Sequence, residues 1–197
     1  MAAACQRMQQ DMPNSSPQQV ACFARACAAL EHNPGVGLLS AATAQLHRTL
    51  PAAGPRDIAD FLWACASMAF RPGYAFLAAA AARLQRLISR ASPEDAAKYV
   101  WACSTLRFQP GHASLAAVAA QVQSRLADAD LEPLCTLICA SARCGHQLDV
   151  AFNTAAIARM EQVLVGHSGL GHEHAGHWKP EQSHNSGTDS LGAPLTC

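Results

Sequence analysis

Residues 92–111 read SPEDAAKYVWACSTLRFQPG, and residues 54–73 read GPRDIADFLWACASMAFRPG. The two stretches align without a gap at an offset of 38 residues, which superposes their Trp-Ala-Cys triplets, their phenylalanines and their Pro-Gly pairs. Self-similarity at a fixed period of this length is the signature of a repeat architecture. This pair of stretches therefore decides the fold class before any single helix is considered.

The same offset finds one further copy on each side of the pair. Upstream it reaches Arg25-Ala26-Cys27 and Pro34-Gly35, and downstream it reaches Cys139-Ala140-Ser141, where the Pro-Gly pair is lost. Degenerate terminal copies are common in repeat arrays. We predict an array over residues 16–165, with repeats at approximately 16–53, 54–91, 92–129 and 130–165. Residues 1–15 form an N-terminal extension, and residues 166–197, rich in Gly, His and Ser, are predicted to be a disordered tail.

Each repeat divides into two predicted helices. Helix A opens with a proline and with acidic or amide residues, which together signal a helix start, and its apolar residues follow the i, i+3, i+4, i+7 spacing of one buried stripe. We expect the Pro-Gly pairs to end helix A. Helix B follows, from about Tyr74 to Ser89 in the second copy, with Leu77, Leu84, Leu87 and Ile88 facing inward. The sequence thus predicts an all-α fold, an α-solenoid of about four 38-residue αα-hairpin repeats.

Composition limits the classes of partner. The formal net charge is zero, and residues 16–165 hold 12 basic and 10 acidic side chains, so no large field attracts nucleic acid. Almost all basic residues are arginine, which can stack and bind phosphate in a bidentate manner. We expect no membrane span, because no apolar run is long enough. The nine cysteines, without a secretory segment, indicate a reducing compartment, and no clear organelle transit peptide is visible.

Two ranks of polar residues recur on helix A, opposite its buried stripe. Because the residue type varies while polarity persists, these ranks could read one ligand unit per repeat, as helical repeats that recognise RNA bases do. The alternative is a solvated face whose sequence drifts freely. The candidate RNA-binding residues are Asp60, Lys98 and Thr136 in one rank and Ser67, Thr105 and Arg143 in the other.

A second polar column recurs on helix B. It consists of long amide and guanidinium side chains that could follow a phosphate backbone, with charge-assisted hydrogen bonds from arginine and neutral ones from glutamine. The alternative is that these side chains cover an alanine-rich helix surface. The candidate RNA-binding residues of this column are Gln45, Arg83, Gln121 and Arg159, with Arg48, Arg86, Ser124 and Gln162 three residues later.

Other distinctive residues have a structural and a functional interpretation. Trp63 and Trp101 could stack bases, but a repeated tryptophan is more often a packing contact between hairpins. The cysteines of the Trp-Ala-Cys position are expected to be small core residues. We predict no metal site, because Cys135, Cys139, Cys144 and His146 contain no Cys-x-x-Cys pair, and the tail histidines His167, His172, His174, His177 and His184 need no ligand.

Nothing in the sequence supports catalysis. It contains no nucleophile, base and acid set, no glycine-rich phosphate loop and no carboxylate pair with a reason to have shifted pKa values. We therefore expect a binding protein that is not an enzyme and that carries no cofactor.

The repeat resembles the octotricopeptide repeat, a 38-residue αα-hairpin best known from green algae. The resemblance is carried by Ser92-Pro93, by Tyr99-Val100-Trp101-Ala102 and by Leu106 leading to Pro110, and it extends over roughly residues 16–165. It implies sequence-specific binding of single-stranded RNA in the chloroplast or mitochondrion, in support of RNA stability, processing, splicing or translation. The alternative is a protein-interaction scaffold, which the near-zero charge suits. A positively charged polar surface would favour RNA, and an exposed apolar groove would favour the scaffold.

Overall fold

The computed structural model describes residues 2–168, and every regular element in that range is helical. Helices α2, α4, α6 and α8 are the predicted A helices and α3, α5, α7 and α9 the B helices, and within each set the starting residues lie 38 apart. The all-α fold of stacked hairpins is confirmed. The helices are α1 Ala2–Asp11, α2 Pro17–Ala29, α3 Val36–Thr49, α4 Pro55–Ser67, α5 Tyr74–Leu87, α6 Pro93–Thr105, α7 His112–Ser124, α8 Leu131–Arg143 and α9 Val150–Ser168, with 3-10 turns at Met12–Asn14, Leu50–Ala52, Ile88–Arg90 and Leu126–Asp128.

The A helices begin as the sequence predicts. A proline takes the first turn of α2, α4 and α6, where its missing N–H costs no hydrogen bond. At α6 the Ser92 hydroxyl accepts the Asp95 N–H at 3.1 Å, while the Asp95 carboxylate accepts the Ser92 N–H at 3.2 Å. Ser16 and Gln19 make the same reciprocal pair at α2. Caps of this kind stabilise a helix by about 1 kcal/mol and fix where each hairpin starts.

The A helices end before the Pro-Gly pairs, so the prediction that those pairs end them is wrong. In each copy an N–H after the helix bonds to a carbonyl five residues earlier, as Phe108 does to Cys103 at 2.9 Å. This bond, together with a left-handed residue just before it, forms a Schellman-type stop. The left-handed residues are Glu31, Ala69, Arg107 and Gly145, with φ from 51° to 70°, and the glycines of the Pro-Gly pairs are instead the N-caps of α3, α5 and α7.

Helix B of the second repeat lies close to its predicted bounds. Leu77 and Leu84 are buried as expected, whereas Leu87 and Ile88 are half-buried because the chain turns into a 3-10 segment there. Phe76, which the inward set did not include, is buried and packs edge-on against Phe61 of α4, with ring centroids 5.6 Å apart. This aromatic contact joins the A helix to the B helix of the same hairpin.

The A helices form one closely packed layer. Adjacent A helices contact each other extensively, whereas adjacent B helices touch at fewer places. Small side chains allow the close approach, because Ala59 and Ala97 are buried in this layer. The cysteines of the Trp-Ala-Cys position are buried core residues, as predicted. The result is a two-layer stack in which the A layer has the tighter spacing.

The two ends of the stack differ from their predictions. The N-terminal extension contains a helix, α1, which was not predicted and which contacts α3, while the buried Met12 joins the core. At the other end α9 runs to Ser168, beyond the predicted limit of the array. The predicted disorder falls otherwise on residues 169–197, which lie outside the described residues. Within residues 2–168, no helix has the length and apolarity needed to cross a membrane.

Candidate ligand-binding face of the A layer

One stripe of each A helix lies opposite the B helices. Its residues follow i, i+4, i+7, i+11 spacing, and most are exposed or half-buried, while residues on the other side, such as Ile58 and Cys65, are fully buried. We call this stripe the open face. Its members are Gln18, Cys22, Arg25 and Ala29 in α2, Arg56, Asp60, Trp63 and Ser67 in α4, Glu94, Lys98, Trp101 and Thr105 in α6, and Glu132, Thr136, Cys139 and Arg143 in α8.

Asp60 lies at the centre of a charge network that links three repeats. Its carboxylate is 2.9 Å from Lys98 Nζ, 3.6 Å from Arg56 Nε and 3.7 Å from Arg25 Nε. Lys98 also contacts the Glu94 carboxylate at 2.6 Å. Although Asp60 belongs to the open face, its side chain is only 7% exposed, since the three cations cover it. A buried carboxylate needs such partners, because removing a lone charge from water is costly.

Lys98 and Asp60 are therefore occupied with each other. Burial lowers the pKa of Lys98, but the hydrogen bonds to Glu94 and Asp60 outweigh it, and the net effect is a raised pKa. Lys98 therefore stays charged near neutral pH, and two of its three ammonium donors serve Asp60 and Glu94. The solvated face weighed as the alternative for this rank does not describe Asp60, whose carboxylate ties three repeats together.

The remaining predicted residues of the open face are more accessible. Ser67 and Arg143 are exposed, and Thr105 and Thr136 are half-buried. The Ser67 hydroxyl donates to the Trp63 carbonyl at 3.0 Å, so its oxygen can still accept a second bond. The structure brings these side chains onto the same stripe, one helix per repeat.

Trp63 and Trp101 occupy equivalent surroundings in successive repeats. Their ring centroids are 6.5 Å apart, with an angle of 38° between the planes. Each ring packs against the core and stays half-buried, so the packing role and the exposed aromatic surface coexist. Ser67 and Thr105 follow the two rings by one helical turn. Each of these two repeats thus presents one aromatic ring beside one hydroxyl.

A groove of about 670 Å³ lies where α6 meets α8. The two tryptophans line it together with Pro93, Ala97 and Pro133, which gives it a partly apolar wall. Its charged lining is dominated by acids, because Lys98 is the only cation that the described residues contribute to it. The acidic lining residues are Glu94, Asp128, Asp130 and Glu132, and all four are exposed.

These carboxylates, and the arginines that surround Asp60, are not among the site residues predicted from the sequence. Arg56, Glu94 and Glu132 share one 38-residue position, and Arg25 takes the tryptophan position in the first repeat. The 38-residue recurrence marks this position, which is charged in three repeats. Because the charge changes from positive to negative between repeats, a comparison that looks for one kind of polar side chain does not select it. Asp128 and Asp130 lie in the connection before α8, outside either helical column.

The helix-B column has a different role from the one predicted. Each of its four residues donates a hydrogen bond to the carbonyl of the residue 30 positions earlier, just before the N-cap of its own A helix. Gln45 bonds to Ser15 at 2.6 Å, and Gln121 bonds to Ala91 at 3.1 Å. The guanidinium groups do the same, Arg83 to Ala53 at 3.4 Å and Arg159 to Ala129 at 3.2 Å. These donors point into the connections between repeats.

The residues three positions further along do not form a uniform ladder. Arg48 bonds to the Pro13 carbonyl and to the Gln45 side chain, and the Ser124 hydroxyl donates to the Gln121 carbonyl at 2.8 Å. Arg86 and Gln162 are exposed. This rank therefore mixes local capping with solvent-facing side chains.

The thiols and imidazoles of the described residues are the remaining candidate metal ligands. Burial raises the pKa of Cys27 to about 11 and that of Cys103 to about 12, so these thiols stay protonated and unreactive. Cys135 and Cys139 are exposed, whereas Cys144 and His146 are buried. In the part of the chain that the structure describes, no group of three or more histidine, cysteine, aspartate or glutamate residues could hold a metal ion.

No protein-family model matches the chain, and comparison with curated proteins gave no match.

Proposed function

We propose that this chain is a binding module that takes single-stranded RNA along the open face of the A layer. The observation that carries the proposal is the pair of half-buried tryptophans, one per repeat, on a stripe that continues through all four A helices. Aromatic rings bind bases by stacking, and each stacked base contributes about 1–3 kcal/mol without requiring a particular sequence.

Neighbouring side chains support the same ligand. Arg143 is an exposed cation on the open face, suited to phosphate contacts. Arg25 and Arg56 contact Asp60 through Nε but remain exposed, so they too are suited to phosphate contacts. Ser67 and Thr105 each lie one turn beyond a tryptophan, where a hydroxyl could bond to the edge of a stacked base. Under this proposal each tryptophan repeat takes one base, and the arginines hold the backbone in register.

The proposal leaves out the helix-B column. Arg83 donates to the carbonyls of Pro51 and Ala53, and Arg159 donates to that of Ala129, so a phosphate that drew these guanidinium groups away would break intramolecular bonds. Asp60 and Lys98 are likewise engaged with each other, which leaves Ser67, Thr105, Thr136 and Arg143 as the predicted residues on the ligand path. The resemblance to octotricopeptide repeats supports RNA as the ligand and a chloroplast or mitochondrial location, with a role in the expression of organelle transcripts.

Selection of RNA on the purified chain, followed by titration of the selected RNA, tests the proposal. We expect Trp101→Ala to weaken RNA binding by about fivefold or more, since one stacked base is worth about 1–3 kcal/mol. Trp101→Tyr keeps a stacking ring and should retain most of the affinity. Binding should also weaken as salt rises, because phosphate contacts release counterions.

Arg86→Ala is the matched control, because this arginine is exposed on α5, away from the open face. Arg25→Ala should weaken RNA binding by removing a phosphate contact, whereas Arg86→Ala removes the same type of charge and should leave RNA affinity unchanged. Thermal unfolding of every variant separates loss of contact from loss of fold. Equal affinity for RNA in Trp101→Ala and the parent, with both folded, would overturn the proposal.

A second candidate is a scaffold that binds a protein segment. The acidic lining of the groove between α6 and α8 favours it, because four carboxylates repel a phosphate backbone. If selection recovers no RNA and the groove variants described below change the binding of a basic peptide, the scaffold replaces the RNA-binding module.

A further inference from the structure

The groove between α6 and α8 has the size and lining of a docking site for a side chain and its flanking backbone. Its volume of about 670 Å³ falls within the range of roughly 300–1,000 Å³ that is typical of ligand pockets. Trp63, Trp101, Pro93 and Pro133 supply rigid apolar walls. Thr136 adds a half-buried hydroxyl. A rigid aromatic wall with polar groups at its border is typical of surfaces that recognise polypeptides.

The charged residues that line the groove indicate which kind of ligand it binds. Within residues 2–168, the four acids of the lining face a single cation, Lys98, and that ammonium is already shared between Asp60 and Glu94. Asp128 makes one exposed contact, with Arg125 at 3.4 Å. Among the described residues, Asp130 and Glu132 form no ion pair. The groove thus holds more negative than positive charge beside two aromatic rings.

We propose that this groove binds a cationic polypeptide segment, with an arginine or lysine side chain stacked on the tryptophans and paired with Asp130 and Glu132. A cation beside an aromatic face is attracted by the quadrupole of the ring, and a guanidinium can bond a carboxylate through two parallel N–H donors. The same surface disfavours phosphate. The tryptophans border both this groove and the proposed RNA path, so the two ligands compete for them.

The occupant is a protein segment, since both halves of the groove contribute to its recognition. The apolar walls contact backbone and aliphatic carbons, and the acidic side fits the cationic group at the end of a long side chain. An inorganic cation would use the acids alone and would not require the rings. Dependence on both the rings and the carboxylates therefore distinguishes the polypeptide from a metal ion.

Calorimetric titration of the full chain with a capped nonapeptide tests this inference. The probe contains two arginines separated by one glycine in a Gly-Ser background, and its matched control replaces both arginines by citrulline, which has the same shape without charge. We expect the arginine peptide to bind at least tenfold more tightly than the citrulline peptide. Mg²⁺ at the same concentration should not displace it.

Two carboxylate variants locate the site. Asp130→Asn keeps an N-cap residue at the start of α8, and Glu132→Gln keeps the shape of the side chain. The double variant Asp130→Asn with Glu132→Gln should bind the arginine peptide at least tenfold more weakly than the parent. Glu161→Gln, which removes an exposed acid on α9, should change affinity by less than twofold. Equal loss in Glu161→Gln would mean nonspecific attraction to acidic protein and would overturn the inference.

The ring variant and an RNA competition complete the test. Trp101→Ala should lower the affinity for the arginine peptide. Trp101→Tyr should retain most of that affinity, and it keeps the test decisive even if the alanine variant is unstable. Where RNA binds, the arginine peptide should displace it, and Asp130→Asn with Glu132→Gln should increase RNA affinity. If the arginine peptide binds with unchanged affinity both to Trp101→Ala and to the double carboxylate variant, the inference is overturned, whatever the outcome with RNA.

Discussion

The helix-B column and the open face of the A layer both recur every 38 residues, yet they behave differently. In the column, Gln45, Arg83, Gln121 and Arg159 each donate to the carbonyl 30 residues earlier. On the open face, the position held by Arg56 in one repeat is held by Glu132 in another. A repeated bond to the same backbone site indicates a structural requirement, whereas a changing charge on a shared stripe leaves room for recognition.

The helix-B column and the open face differ because the column lies against the connections between repeats, whereas the open face lies on the outside of the A layer. A connection between two repeats buries backbone carbonyls that no helix satisfies, and a buried carbonyl without a donor costs about 1–3 kcal/mol. Any long side chain with an N–H can supply the donor, so glutamine and arginine alternate. Among the described residues, the open face has few such fixed partners: the pairs around Asp60, and the Gln18 amide, which donates to Asp57 at 3.1 Å. Its other side chains can follow the ligand.

The largest effect on stability is expected from Gln45→Ala. The Gln45 amide and its acceptor, Ser15, are both buried, so the variant leaves the carbonyl without its donor and adds a small void. We expect the free energy of unfolding to fall by about 1–3 kcal/mol, measured by urea denaturation. Gln85→Ala on α5 is the control, because Gln85 is exposed and should cost less than about 0.5 kcal/mol. Equal costs for the two variants would contradict a structural column.

A smaller effect is expected when the donor is exchanged and not removed. If the column requires an N–H and not a charge, Arg83→Gln and Gln121→Arg should each stay within about 1 kcal/mol of the parent, since both types can donate to the same carbonyl. Gln121→Leu, which has similar length but no donor, should cost about 1–2 kcal/mol. Denaturation of the three variants at one salt concentration measures this. A tolerated leucine would show that the column only covers alanine-rich helix surface.

The sequence predicted the fold well because the fold depends on local and periodic signals. The 38-residue offset, the proline starts and the apolar stripe of helix A are each legible in residues 54–111. The helix ends were misplaced because Ala69 and Arg107 adopt a left-handed conformation that their residue types do not favour. The local backbone hydrogen bonds of the Schellman turn hold that conformation, as from Phe108 to Cys103 at 2.9 Å, and composition does not reveal them.

The candidate site was only partly predictable, for a related reason. The stripe containing Asp60, Ser67 and Thr105 follows from helical periodicity, and the structure places these residues on one face. Which polar residues are free depends on partners far away in sequence: Asp60 meets Lys98 across a repeat, and Arg83 meets Pro51 at 2.6 Å. A list of polar positions contains no information on those pairings. The groove is likewise lined by three helices, α4, α6 and α8, and by the connection before α8, so no single column identifies it.

The smallest effect concerns His146, at the turn position that Phe70 and Phe108 hold in the central repeats. Its ring is 4.6 Å from that of His112, and burial followed by the charge of His112 lowers the pKa of His146. A histidine with a folded-state pKa below its unfolded value of about 6.5 binds protons more readily when unfolded, so its contribution is complete above that pH and is lost as pH falls toward the folded-state pKa. We therefore expect the free energy of unfolding of His146→Phe, relative to that of the parent, to be higher at pH 5 than at pH 7.5, as measured by urea denaturation. The turn should accept phenylalanine, because the two repeats before it have phenylalanine there. If the difference in stability between the two proteins is the same at both pH values, His146 has the same pKa in the folded and the unfolded protein. The fourth repeat then tolerates histidine at this turn as the others tolerate phenylalanine.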